Sequence, residues 1–192
     1  NLSNPVIYTG FGPEPDSIGT ESGGCPANYD QTQFPNGVDP NAMRSLASGL
    51  AEQLSELRAA GSGTEHGAFI LQTSSGTLFS SSIFTSNNSD SIEFDDWSQV
   101  LQQLAFVLGP DFFKVVGWIH VQSSSLPSGQ GSSATGGAGD WGVVSSLVNS
   151  GIADPNIVTY IVDADGNLYE YTRDKEGTTT PSPVPSICLQ EL

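Results

Sequence analysis

The apolar run from Phe112 to Val121, FFKVVGWIHV, limits the folds open to this chain more than any other stretch. A run of that length and character reads as a strand at the centre of a sheet, apolar on both sides, so the sheet must be covered above and below. Trp118 and Ile119 should then face opposite layers, because successive strand residues alternate. Residues 123–139 are Ser/Gly-rich and too irregular for regular structure, and Asp140 then opens a helix, GDWGVVSSLV, that runs to Asn149. The loop turns the chain back on itself. A histidine at the strand end, His120, and an acid at the helix start, Asp140, can therefore face one point.

The flanking pattern supplies the covering layers. Asp39-Pro40 reads as an N-cap followed by proline at the first helical position. Met43, Leu46, Ala47, Leu50, Leu54 and Leu57 then recur at spacings of three and four up to Gly61. A strand is expected over residues 65–71, turned by Ser74-Ser75-Gly76 into a second from Leu78 to Phe84. Asp95 or Asp96 caps a helix whose Trp97, Val100, Leu101, Leu104 and Val107 form one apolar face ending at Gly109-Pro110. Ile157 to Val162 and Leu168 to Tyr171 are β-rich runs joined by Asp165-Gly166, a strong hairpin signal. Helix, two strands, helix, strand, helix, hairpin predicts an α+β (mixed α/β) domain with helices flanking one central sheet, spanning residues 39–173. Residues 1–38 form an irregular N-terminal arm rich in Pro, Gly, Asn and Asp, and residues 174–192 a Thr/Pro-rich coil tail.

Charge narrows the partners. Lys+Arg 5 against Asp+Glu 21 gives a formal net charge of −16. Such a field repels phosphate backbones and anionic lipid headgroups, so neither nucleic acid nor a membrane surface is expected to bind. No apolar run approaches the roughly 20 residues that span a bilayer. A start at Asn1 rather than Met is expected of a processed form or of a piece of a longer polypeptide. Two cysteines, Cys25 and Cys188, lie in the two arms. Either they are unrelated thiols, or in an oxidising compartment they form a bridge worth on the order of 5 kcal/mol in the chain-entropy account. The acidic, Ser/Thr-rich, Lys-poor composition together with that bridge points to a secreted or extracellular protein.

The order of elements, with Glu65 opening the first strand, His120 closing the central one and Asp140 starting the next helix, resembles the JAB/MPN metalloprotease fold. The resemblance covers roughly residues 40 to 172 and is nearest to the JAB-like domains of bacterial secreted and Rhs-type polymorphic proteins. In that family a strand glutamate holds the catalytic water, and a His-x-His pair with the aspartate of Ser-x-x-Asp holds zinc. The resemblance implies Glu65 as general base, His120 and Asp140 as zinc ligands, and an amide or isopeptide bond in a protein or peptide as substrate. Two positions depart from the pattern: Gln122 stands where the second histidine belongs, and Gly137 where the serine belongs. Catalytic zinc usually keeps three protein ligands and an open position, and an amide oxygen is a poor replacement for an imidazole nitrogen, so metal affinity should fall. The remaining histidine, His66, neighbours Glu65 and should point to the other face.

Other motifs carry less. Asp163-Ala164-Asp165-Gly166-Asn167 lacks the glycine and glutamate positions of a calcium loop and reads as a hairpin turn. The glycines between 129 and 139 lack the Gly-Lys-Ser/Thr ending that cradles phosphate. Trp97 and Trp118 read as core, and Trp141, next to Asp140, as a residue that could line the cleft. Two functions besides hydrolysis suit the same chain. One is a non-catalytic binding or assembly module whose arms contact neighbouring copies in a homo-oligomer. The other is the toxin or effector end of a larger polypeptide, whose charge suits a basic immunity-type partner.

Overall fold

A computed structural model describes residues 31–61, 64–85, 92, 94–122 and 139–175. Cys25, Cys188, Gly137, residues 1–30, the loop 123–138 and the tail from 176 lie outside them. The elements are α1 (Pro40–Ala60), β1 (His66–Thr73), β2 (Leu78–Ser80), β3 (Phe84–Thr85), α2 (Phe94–Leu108), β4 (Phe113–Val121), α3 (Gly139–Asn149), β5 (Ala153–Val162) and β6 (Leu168–Tyr171). The domain is α+β, with a mixed six-stranded sheet and helices on both faces. The sheet runs β2-β1-β4-β5-β6, with β3 pairing beside β2 along β1. All pairs are antiparallel except β4 with β5, which α3 joins as a crossover.

α1 starts where the sequence says it should. The Asp39 carboxylate accepts from the Asn41 N–H at 3.0 Å, and Pro40 occupies the first turn, where its missing N–H costs nothing. Met43, Ala47, Leu50 and Leu54 are buried against one face of the sheet with Ala68, Ile70, Val116, Ile119 and Tyr160. Leu57, expected in that stripe, is exposed in the last turn. On the other face Phe69, Leu71, Val115, Trp118 and Ile161 pack against Trp97, Val100 and Leu101 of α2 and Trp141, Val144 and Leu147 of α3. Trp118 and Ile119 thus sit on opposite faces, as the alternation requires.

β4 is central and buried, but its alternation breaks once. The register shifts between Val115 and Gly117, so Val116 and Gly117 both turn towards α1. A Cβ at Gly117 would lie 2.6 Å from Met43 Cε, the flexible end of that side chain, and 3.1 Å from Ile70 Cβ, so a larger residue would make both neighbours shift.

The structure corrects four other expectations. The second strand, expected from Leu78 to Phe84, divides into β2 and β3 at Ser81. There the hydroxyl takes the Phe69 N–H at 2.9 Å and donates to Ser82 O at 2.8 Å, so a side chain replaces a rung of the ladder. Asp95 and Asp96 lie inside the first turn of α2 rather than before it, where their charge still favours the helix dipole. Val107 points to solvent, because the last turn of α2 runs past the sheet. The end of the expected N-terminal arm belongs to the packed domain: Phe34 is buried, and Asn156 Nδ2 donates to Thr32 O at 3.2 Å.

A buried ion pair ties α1 to the far edge of the sheet. Arg44 Nε and Nη2 donate to the two Glu170 carboxylate oxygens at 2.8 and 2.7 Å. Tyr160 Oη donates to the same carboxylate at 3.1 Å, and the guanidinium lies 5.2 Å from the centre of the Phe34 ring. Removing one charge from such a pair leaves the other buried without compensation. Glu170→Gln should therefore lower stability by roughly 3–5 kcal/mol, read from urea unfolding. A loss below about 1 kcal/mol would mean that Arg44 reaches water in the native state.

Candidate functional site

The strand ends of β1 and β4 set the geometry. Their antiparallel register pairs Gly67 with His120 and His66 with Val121. Carried one pair further, it sets Glu65 opposite Gln122. Paired strand residues share a face and alternate along the strand, so Gly67 and His120 stand in one row with Trp118 and Phe69, towards α2 and α3, and Glu65 and Gln122 flank the ends of the two strands. Glu65, His120 and Gln122 are all buried, His120 to 1% exposure. Thr85 Oγ1 donates to Glu65 O at 2.8 Å and holds the chain there.

The floor of the site is aromatic. Phe84 stacks on Trp118 with centroids 5.8 Å apart, and Trp118 stacks on His120 at 5.1 Å. Gly67 makes this possible, because a Cβ there would come within 2.9 Å of Trp118 Cζ3 and 3.0 Å of Phe84 Cε2. The stack fixes the plane of the imidazole.

α3 supplies the carboxylate. Asp140 lies in its first turn, where a negative charge suits the helix dipole. Trp141 anchors that turn: it is fully buried and meets Tyr171 edge-on at 6.3 Å, so it belongs to the core and does not line the cleft. Asp140 Oδ1 lies 3.2 Å from His120 Nε2. Among the described residues, His120 Nδ1 is buried with no hydrogen-bond partner. The structure thus brings together His120 and Asp140, while Glu65 and Gln122 are buried just beyond the ends of β1 and β4.

His66 takes no part. It faces α1, where its ring is bonded to the backbone of Leu57. Sequence reasoning missed Arg58. From the last turn of α1 its guanidinium donates to Gln122 O at 3.1 Å, Asp163 O at 2.8 Å and Ala164 O at 3.0 Å. It ties the end of β4 to the β5–β6 turn and so positions Gln122. An arginine in a last helical turn reads as a dipole partner, and nothing local reveals carbonyls so distant in the chain. The turn that it clamps is the expected hairpin. The Asp163 carboxylate accepts from Asp165 N, Asn167 N, Asn167 Nδ2 and Tyr169 Oη, which occupies it fully without a cation.

The donor set can be tested against zinc. Two ligands of a tetrahedral zinc, each about 2.0–2.1 Å from the metal, lie about 3.3 Å apart. The His120–Asp140 separation matches two such vertices, and equally a direct hydrogen bond. Among the described residues no group of three or more His, Cys, Asp and Glu side chains gathers to hold a metal. Compared with models of known protein families the chain matches none, and no curated protein matches it with significant similarity.

The two histidines differ in what surrounds them, and pH acts on His66 in a definite direction. Burial pushes its pKa below the ordinary value, with the Leu57 backbone bond opposing the shift. The unfolded chain then binds a proton more readily than the native one. Stability from this group is complete above the unfolded value of about 6.5 and is lost as pH falls through the folded value. His66→Gln should flatten the fall in thermal midpoint between neutral and mildly acidic pH. An unchanged slope would place the titration elsewhere.

Proposed function

We propose that this chain is a JAB-like domain related to zinc metallo-isopeptidases, with a site for an amide or isopeptide bond of a protein or peptide and a weakened metal position. The observation that carries this reading is the 3.2 Å approach of His120 Nε2 and Asp140 Oδ1. Glu65, His120 and Asp140 arrive from a strand start, a strand end and a helix start in the family's chain order. His120, Asp140 and the Gln122 amide would hold the ion. When bound, zinc would supply a polarised water and an electrophilic pull on the carbonyl.

The chain's own residues supply the rest. Glu65 takes a proton from the attacking water as its oxygen bonds to the carbonyl carbon, then returns that proton to the nitrogen as the C–N bond breaks. The stacked Trp118 ring keeps His120 from rotating out of line, and Arg58 holds the strand end that carries Gln122. Burial of the row excludes bulk water.

A second reading is a non-catalytic binding or assembly module on the same scaffold. Gln122 in the position of an imidazole favours it, since an amide oxygen costs a hydrolase most of its affinity for zinc and costs a binding module nothing.

Gln122→His separates the two. It should raise zinc affinity at least about tenfold by calorimetry, with one ion per chain, because an imidazole replaces a neutral amide oxygen. Unchanged affinity would mean that positions 120, 122 and 140 do not converge. In the same background Glu65→Gln should lower cleavage of an isopeptide substrate by about 10²-fold or more while zinc still binds. Equal rates would remove Glu65 from the chemistry.

A further inference from the structure

A cavity among the described residues lies at the opposite end of β4 from His120. It is a cleft of about 920 Å³ between the β1–β2 turn, the second half of α2, the start of β4 and the end of α3. Trp97, Leu101 and Phe113 line it with Ala105, while Ser98 and Gln102 add uncharged polar groups. Its rim carries the exposed apolar side chains Phe112, at 44%, and Ile152, at 40%, among polar ones such as Gln72, Ser75 and Asp111. Exposed apolar side chains at the rim of an apolar cleft mark an interaction site.

Charge decides what covers it. The chain carries −16, and Lys114, the one cation lining the cleft among the described residues, lies 3.5 Å from Asp154. A second copy would bring the same negative field against this one, whereas a cationic partner would be steered towards it. A cleft with a broad apolar floor suits the apolar face of a helix inserted at i, i+3, i+4 and i+7 spacing.

We propose that this cleft docks a cationic amphipathic helix of a partner protein, apart from the His120–Asp140 site. The apolar face of that helix fills the space between α2 and α3, with Phe112 and Ile152 as the surrounding contact. Binding is independent of zinc and of Glu65.

The probe is a Leu/Lys peptide with leucines at helical spacing, compared with a peptide of the same composition in scrambled order, by calorimetry at physiological salt. The patterned peptide should bind one per chain in the micromolar range, and the scrambled one at least about tenfold more weakly. Ala105→Lys places a charge in the cleft and should weaken binding at least about tenfold. Gln102→Lys, at an exposed position of the same helix, should act in the same direction with no demand on the core. Glu56→Gln changes net charge by the same single unit on α1 and should leave affinity within about twofold. Equal affinity for the two peptides, or equal effects of the α1 and α2 variants, would reduce the interaction to bulk charge and overturn the proposal. So would self-association through this face, seen by light scattering and abolished by Ala105→Lys.

Discussion

The antiparallel pairing of β1 with β4 governs every other placement in the domain. Because strand side chains alternate with a period of two, its register decides which residues meet α1 and which meet α2 and α3. With Gly67 opposite His120, the imidazole faces Asp140, Trp118 lies beneath it and His66 is sent to the other layer. A slip of one residue would exchange these roles. It would also place Trp118 against Met43, where even a Cβ at Gly117 has no room. Packing on both faces therefore protects the alignment on which the site relies.

The scarcity of cations shapes how the fold is held. Of five Lys and Arg residues, Arg44 is committed to the buried Glu170 carboxylate and Arg58 to three backbone carbonyls. Both reach from α1 across to the β5–β6 hairpin, so α1 is joined to that edge by directed bonds as well as by apolar contact. Asp163 works from the opposite side: buried, it organises the hairpin turn through four donors and fixes the carbonyls that Arg58 grips. The excess of acids over bases keeps the net charge strongly negative.

Much of this architecture is legible in the sequence, where the signal is local. Asp39-Pro40 with its apolar spacing marks α1, the unbroken run to Val121 marks the central strand, and Asp165-Gly166 marks the hairpin. The alternation of Trp118 and Ile119 follows from the strand alone. Features settled by tertiary contact are not legible. Ser81 divides a strand through a hydroxyl that bonds a neighbouring strand, the Val116–Gly117 irregularity turns two successive residues to one face, and Phe34 is held by the nearby Arg44 and by Asn156 far along the chain. In the site, strand-end and helix-start placement anticipates the meeting of His120 with Asp140. Arg58 gives no such sign, and neither does the large cleft, since its walls come from segments far apart in the chain.

Interstrand nuclear Overhauser effects between β1 and β4 are the sharpest check on the site, because they report the register without reference to metal or substrate. Backbone contacts should link Gly67 with His120 and Phe69 with Trp118. Contacts that instead link Gly67 with Ile119 or Val121 would turn His120 towards α1, separate it from Asp140 and contradict the meeting of these two side chains.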